Sequence, residues 1–236
     1  IGADGGASGS ADSQFNNPRG VTTNADGNIY VADTRNYRIQ KFSPDGEFIG
    51  SWGTRGTGNG QFWDGPYDVV VDSHWYVYAT DPAFHRIQKF TNYGLFVTAW
   101  GSLGTGGGQF NFPRCLAVDA EDNIYVTDCN NDNIQKFSSD GDFLARWGST
   151  GTGAVQFDFP CGVTVDVEGN IYVGDSINDR IHVLNKYGNY VISWGTMDGG
   201  TIPLDGATGV ALDSDGYFYV VCRSTPFRIV QFRLVD

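Results

Sequence analysis

Four aspartates, Asp33, Asp81, Asp128 and Asp175, each stand five positions ahead of Arg38, Arg86, Asn133 or Arg180. Carboxylates repeated in this way could ring a metal ion. They could also hold their own loops through backbone N–H groups, with an arginine alongside. Recurrence in copy after copy favours the second use, and Cys222 stands where a fifth carboxylate would complete a ring. His74, His85 and His182 fall at different places in the pattern, with no His or Cys pair at zinc-ligand spacing. Asp213-Ser214-Asp215-Gly216 begins like a calcium loop, but Tyr217 follows where further oxygen ligands are needed, so a hairpin turn is expected. Neither a Ser-His-Asp constellation nor a nucleophile elbow is present.

The elements that must position these residues are repeats. Trp-Gly pairs at Trp52, Trp100, Trp147 and Trp194 are spaced by 48, 47 and 47 residues. Gln-Phe pairs at Gln14, Gln61, Gln109 and Gln156 precede Pro18, Pro66, Pro113 and Pro160, with Ala207 in the fifth equivalent place. Each copy reads as four strands. A compact apolar first strand is followed by a turn rich in Asp, Gly and Asn, which supply positive φ. The second strand carries Tyr30, Tyr78, Tyr125, Tyr172 or Tyr219, the third an Ile such as Ile39 or Ile87, and the outer strand ends in Trp-Gly. Four strands per repeat of this length predict propeller blades. The expected fold is all-β: a five-bladed β-propeller of four-stranded antiparallel blades forming one domain over 1–236. Its blades fall near 18–65, 66–112, 113–159, 160–206 and 207–236 plus 1–5. Ile1–Gly5 aligns with Ile49–Gly53 and is expected to supply the outer strand of the last blade, hiding its edge.

The strings P-x-G-V, N-I-Y-V-x-D, N-x-R-I-Q-K-F and the terminal W-G resemble the NHL repeat over all five copies, most closely in the first, third and fourth. NHL propellers commonly have six blades; the permuted termini here imply five. The resemblance also brings in an enzymatic relative, a peptidyl-hydroxyglycine lyase, which needs convergent histidines and a base that this chain does not display.

In such a propeller the connections between outer and first strands share a face with those between second and third strands, and that face is where ligands are expected. Beside the axis, directly after each leading proline, come Arg19, Tyr67, Arg114, Cys161 and Thr208. The loops between second and third strands offer Arg35, Tyr37, Phe84, His85, Asn130, Asp132, Asp179 and Arg223. These positions vary while the framework does not. Trp63, like Trp75, lies off the repeat and is expected to be an exposed aromatic contact, whereas the Trp-Gly tryptophans are expected between blades. Cys115, Cys129 and Cys161 leave three options open: a 115–129 bridge, a 129–161 bridge, or thiols throughout.

The 236 residues carry a net charge of −12, which disfavours nucleic acid as a partner. No apolar run approaches the roughly 18 residues of a membrane helix. The only methionine is Met197, so the chain is expected to be a processed product or part of a longer one, secreted or displayed at the cell surface. The expected function is a non-enzymatic extracellular binding or scaffold propeller that engages a protein, peptide or glycan. The alternatives are a metal-dependent lyase or hydrolase with an axial site, and a subunit of a homo-polymer built by strand exchange. No cofactor is expected, with axial calcium as the alternative.

Overall fold

The computed structural model describes residues 8–197, 202–213, 215–223 and 227–233. The strands come in the expected sets. The first sheet is β1 (Pro18–Thr23), β2 (Ile29–Asp33), β3 (Arg38–Phe42) and β4 (Phe48–Trp52), and the second is β5 (Val69–Val71), β6 (Val77–Asp81), β7 (Arg86–Phe90) and β8 (Phe96–Trp100). The third is β9 (Pro113–Val118), β10 (Ile124–Asp128), β11 (Asn133–Phe137) and β12 (Phe143–Trp147). The fourth is β13 (Pro160–Val165), β14 (Ile171–Asp175), β15 (Arg180–Leu184) and β16 (Tyr190–Trp194). A short pair, β17 (Thr196–Met197) and β18 (Ile202–Pro203), precedes the fifth sheet of β19 (Ala207–Leu212), β20 (Tyr217–Cys222) and β21 (Arg228–Arg233). Within each sheet, sequence neighbours are sheet neighbours. The fold is an all-β, five-bladed propeller with antiparallel blades. Ile1–Gly5, assigned by sequence to the outer strand of the fifth blade, lies outside the described residues.

The chain divides into two compact units, one ending at Leu116 and one beginning at Ala117. In the first, Tyr30, Ile39, Phe62, Val69, Val77 and Phe90 form a buried cluster. Trp52 packs into it with its ring 6.4 Å from Tyr30 and 6.2 Å from Phe90, so this Trp-Gly tryptophan joins adjacent blades. In the second unit, Trp194 does the same between the fourth and fifth blades, 6.3 Å from Phe218 and 6.1 Å from Phe232. The Gln-Phe pair has two separate jobs. Phe62, Phe110 and Phe157 are fully buried, and Leu204 takes that place ahead of the fifth blade. The Gln61 and Gln156 side-chain oxygens accept from Gly58 N and Gly153 N, folding the glycine-rich loops back on themselves.

Polar groups recur as strictly as apolar ones. The hydroxyls of Tyr78, Tyr125, Tyr172 and Tyr219 donate to Asp72, Asp119, Asp166 and Asp213 at 2.8–3.1 Å. Each pair joins a second strand to the turn that precedes it. In the third blade Lys136 Nζ adds an ion pair to Asp119 at 2.9 Å. Burial pushes the Asp119 carboxyl up, but bonds from Lys136 and Asn123 outweigh it and hold the group below the usual carboxylate range. The first blade has Asn24 in this place. Its Nδ2 and the Tyr30 hydroxyl are both buried without a hydrogen-bond partner among the described residues.

Candidate functional site

In the first, fourth and fifth blades the residue after the leading Pro18, Pro160 or Ala207 sits at a β-bulge. In the first blade the register jumps from Pro18↔Asp33 to Val21↔Val31, and in the fourth from Pro160↔Asp175 to Val163↔Val173. A bulge re-aims the side chain it carries. Gly20, the second bulge residue, is forced by close approach: a Cβ there would lie 2.2 Å from Asp68 Oδ1 and 2.6 Å from Asp68 Cα. In the second blade the ladder begins only at Val69, and Tyr67 precedes it.

Arg19, Tyr67 and Arg114, each directly after a leading proline, meet. The Arg19 guanidinium lies 4.5 Å from the Tyr67 ring centre, and that of Arg114 lies 5.1 Å from it and 5.3 Å from Phe112. Together they line a cavity of about 120 Å³ that also has Asp64 at its rim. Pro82, Ala83 and Phe112 give it apolar walls. The strap carrying Gly65 and Pro66 is pressed against the neighbouring loop, where the Thr34 hydroxyl donates to Pro66 O at 2.8 Å. Gly65 has φ +91°, and a Cβ there would sit 1.9 Å from Thr34 O. No other residue type fits without moving the strap.

Asp68 lies directly behind Tyr67. It accepts from Val69 N and Leu116 N, both at 2.9 Å. Burial nevertheless pushes its carboxyl up to about 6, with bonds from Leu116, Val69 and the Cys115 side chain opposing the shift. The corresponding positions in the fourth and fifth blades are less eventful: Cys161 is buried, and the Thr208 hydroxyl is 3.4 Å from Val221 O.

The loop residues expected on the ligand face divide into two groups. Tyr37, His85, Asp132 and Asp179 all take the left-handed conformation at the same loop corner, with φ of 58°, 54°, 51° and 53°. Three of them are clamps. His85 Nδ1 accepts from Phe112 N at 3.2 Å, Asp132 Oδ1 from Phe159 N at 2.8 Å and Asp179 Oδ1 from Gly206 N at 2.6 Å. These three side chains fasten the strap of the next blade. Burial lowers the His85 pKa, in keeping with a neutral acceptor. Tyr37 makes no such clamp; its ring lies 5.5 Å from Arg55, which is also 5.5 Å from the Trp63 ring. Trp63 is 48% exposed, and Phe84, 40% exposed, lies over Arg86 at 4.6 Å. Arg35, Asn130 and Arg223 are exposed. Arg55 was not singled out by sequence, although it stands where Leu103 and Thr150 occur in later copies, each bridged in parallel to the phenylalanine of its own strap.

The recurrent aspartates are framework. Asp33 accepts from Asn16 N at 2.7 Å, Arg38 Nε at 2.8 Å and Gln40 Nε2 at 2.9 Å. Asp175 repeats this with Asp158 N and Arg180 Nε, each at 2.8 Å. Among the described residues, no group of three or more His, Cys, Asp and Glu is arranged to hold a metal ion. The cysteines are thiols, so neither candidate bridge among Cys115, Cys129 and Cys161 is formed. Cys129 Sγ donates to Pro160 O at 2.8 Å, the bond that Thr34 makes to Pro66 in the first unit, and Cys115 is turned to Asp68. Among the described residues no helix is long and apolar enough to cross a membrane.

The family model for the NHL repeat matches residues 15–42 and 110–137, which are the strap and first three strands of the first and third blades. The chain is a β-propeller that carries NHL repeats at these two positions. No curated protein sequence matches it. Among solved structures, the propeller is similar to a streptogramin B lyase, with a TM-score of 0.67 and 17% identity over 93% of this chain and 69% of that one. It is also similar to virginiamycin B lyase from Staphylococcus aureus, with a TM-score of 0.65 and 16% identity over 93% and 70% of the two chains. A gluconolactonase from Xanthomonas campestris gives a TM-score of 0.66 and 17% identity over 91% and 71%. At these identities the likeness concerns the fold.

Proposed function

We propose that this propeller is a non-enzymatic binding module that holds a protein, peptide or glycan through the surface around Arg19, Tyr67 and Arg114. The observation that carries this reading is the stacked Arg–Tyr–Arg group beside a polar cavity. Exposed Trp63 and Phe84 in the same unit supply aromatic contact area of the kind enriched at interfaces. The three histidines support it from the other side. His85 is a strap clamp, His182 holds Ala154 O from a buried position against Phe157, and His74 lies in a turn beside Ser73. Peptide and glycan arrays probed with the wild-type chain and with an Arg19→Gln/Arg114→Gln double variant test it. The reading expects a ligand whose signal disappears in the double variant; signal unchanged by the double variant refutes it.

A second reading, a lyase or hydrolase, draws on Asp68 next to Tyr67; burial pushes the Asp68 carboxyl up to about 6, toward the range of a general acid or base. The similarity to lyase and lactonase propellers is compatible with it. Stoichiometric calcium or zinc in the purified protein would favour this reading over the first.

A further inference from the structure

We infer that the junction of the first and second blades docks an acidic peptide segment that also carries apolar side chains, on a surface centred on Tyr37, Arg55 and Trp63. This rests on the binding role proposed above and names its partner class.

This junction lacks a structural bond that its counterparts keep. At the later loop corners His85, Asp132 and Asp179 each accept from the backbone N–H 27 positions further on. The same step from Tyr37 leads to Asp64, and among the described residues Tyr37 makes no such bond. Its ring and that of Trp63 instead each lie 5.5 Å from Arg55. Later copies place Leu103 and Thr150 at the Arg55 position, and Asn111 and Asp158 at the Trp63 position, so the blade framework does not require this group. The bond from the Thr34 hydroxyl to Pro66 O holds the Tyr37 loop against the strap that carries both Trp63 and Tyr67. Arg19, 4.5 Å from the Tyr67 ring, therefore belongs to the same surface.

Charge selects the partner. Arg38, Arg86 and Arg180 are each neutralised by an aspartate of their own blade. Arg19, Arg35 and Arg55 are exposed and make no ion pair or side-chain hydrogen bond among the described residues. Asp64, in the same strap as Trp63, offsets part of their charge. The remaining surplus, on a chain with 27 Asp and Glu against 15 Lys and Arg, is complementary to carboxylates on a partner. A long polyanion such as a sulfated glycan or nucleic acid reaches past the patch and meets the acidic remainder of a chain of net charge −12. A short acidic segment meets the local cations and is screened from the rest. Trp63, 48% exposed, adds apolar contact area, and Trp, Tyr and Arg are the residue types that carry most binding energy in protein interfaces.

Selection of a random heptapeptide display library against the full chain tests the inference, with the best peptide then measured by fluorescence anisotropy. Selected peptides should be enriched in Asp and Glu alongside Phe, Tyr, Trp or Leu, and their binding should weaken as salt is raised. Arg55→Gln and Trp63→Ala should each weaken the best peptide about tenfold or more. Tyr37→Asn separates docking from folding. It offers Asp64 N the kind of acceptor that the later corners have, so the thermal midpoint should hold or rise while peptide binding falls about tenfold. Selected peptides without acidic enrichment, binding insensitive to Arg55→Gln or Tyr37→Asn, or tighter binding of a heparin hexasaccharide than of the best peptide overturns the inference. If no peptide is selected while an array glycan binds and depends on Arg19 and Arg114, the binding role survives and the peptide assignment falls. If neither the library nor the arrays yield a ligand, both fall.

Discussion

The same repeat is put to different use in the two compact units. In the unit that ends at Leu116, the positions after the leading prolines present Arg19, Tyr67 and Arg114, and one loop corner presents Tyr37 to Arg55. In the unit that begins at Ala117, the bulge positions hold buried Cys161 and Thr208, and the loop corners Asp132 and Asp179 fasten backbone N–H groups. One backbone device thus serves either to display a side chain or to tie down a strap. The choice is made by residue type: a short acceptor reaches the next strap, whereas a long cation or an aromatic ring projects past it. His85 is the acceptor of the first unit, so the division is by chemistry and not simply by half.

The contrast can be broken most severely at Gly65. Alanine there meets Thr34 O, so Gly65→Ala should cost about 3 kcal/mol or more in denaturant unfolding and abolish ligand binding. Asp132→Ala tests the clamp side. It leaves Phe159 N and the Thr150 hydroxyl without their acceptor, and should cost about 2–3 kcal/mol of stability with no effect on binding. Tyr37→Ala, at the equivalent corner, should cost under about 1 kcal/mol, the scale of an exposed cation–π contact.

Asp68 sharpens the contrast through pH. Its carboxyl is raised from 3.8 to about 6, so the native protein retains a proton that the unfolded chain has released. Stability should therefore fall as pH rises between those values and level off above them. Urea unfolding across that range should show the slope reduced in Asp68→Asn; an identical slope would exclude Asp68 as its source. The smallest effect is expected at Asn24. Asn24→Asp restores the carboxylate that the Tyr hydroxyl finds in the other four blades and gives Lys41, whose pKa burial lowers, a closer counter-charge. A gain of about 1 kcal/mol in thermal or denaturant unfolding is predicted.

The blades were legible because Trp-Gly, the leading proline and the second-strand tyrosine each recur at nearly one spacing. The bulge residues were legible as candidates because they vary against that background. The clamps were not. His85, Asp132 and Asp179 vary like ligand-binding residues, but each reaches a backbone N–H 27 positions further on, a distance that local pattern does not advertise. Arg55 was missed for a related reason: its partners Tyr37 and Trp63 lie in other segments, and a glycine-rich loop gives no period from which to read a contact. Cys129 drew attention as a half-cystine because thiol chemistry is salient in a sequence. Its bond to Pro160 O becomes intelligible only beside Thr34, which makes the same bond with a hydroxyl.

The most direct test of the central claim is an NMR titration that follows the arginine Nε–Hε signals while a peptide or glycan identified on the arrays is added to the full chain. The account predicts that Arg19 and Arg114 shift together and saturate, while Arg38 and Arg180, held by Asp33 and Asp175, stay in place. Shifts confined to the framework arginines, or saturation with Arg19 and Arg114 unmoved, would contradict it.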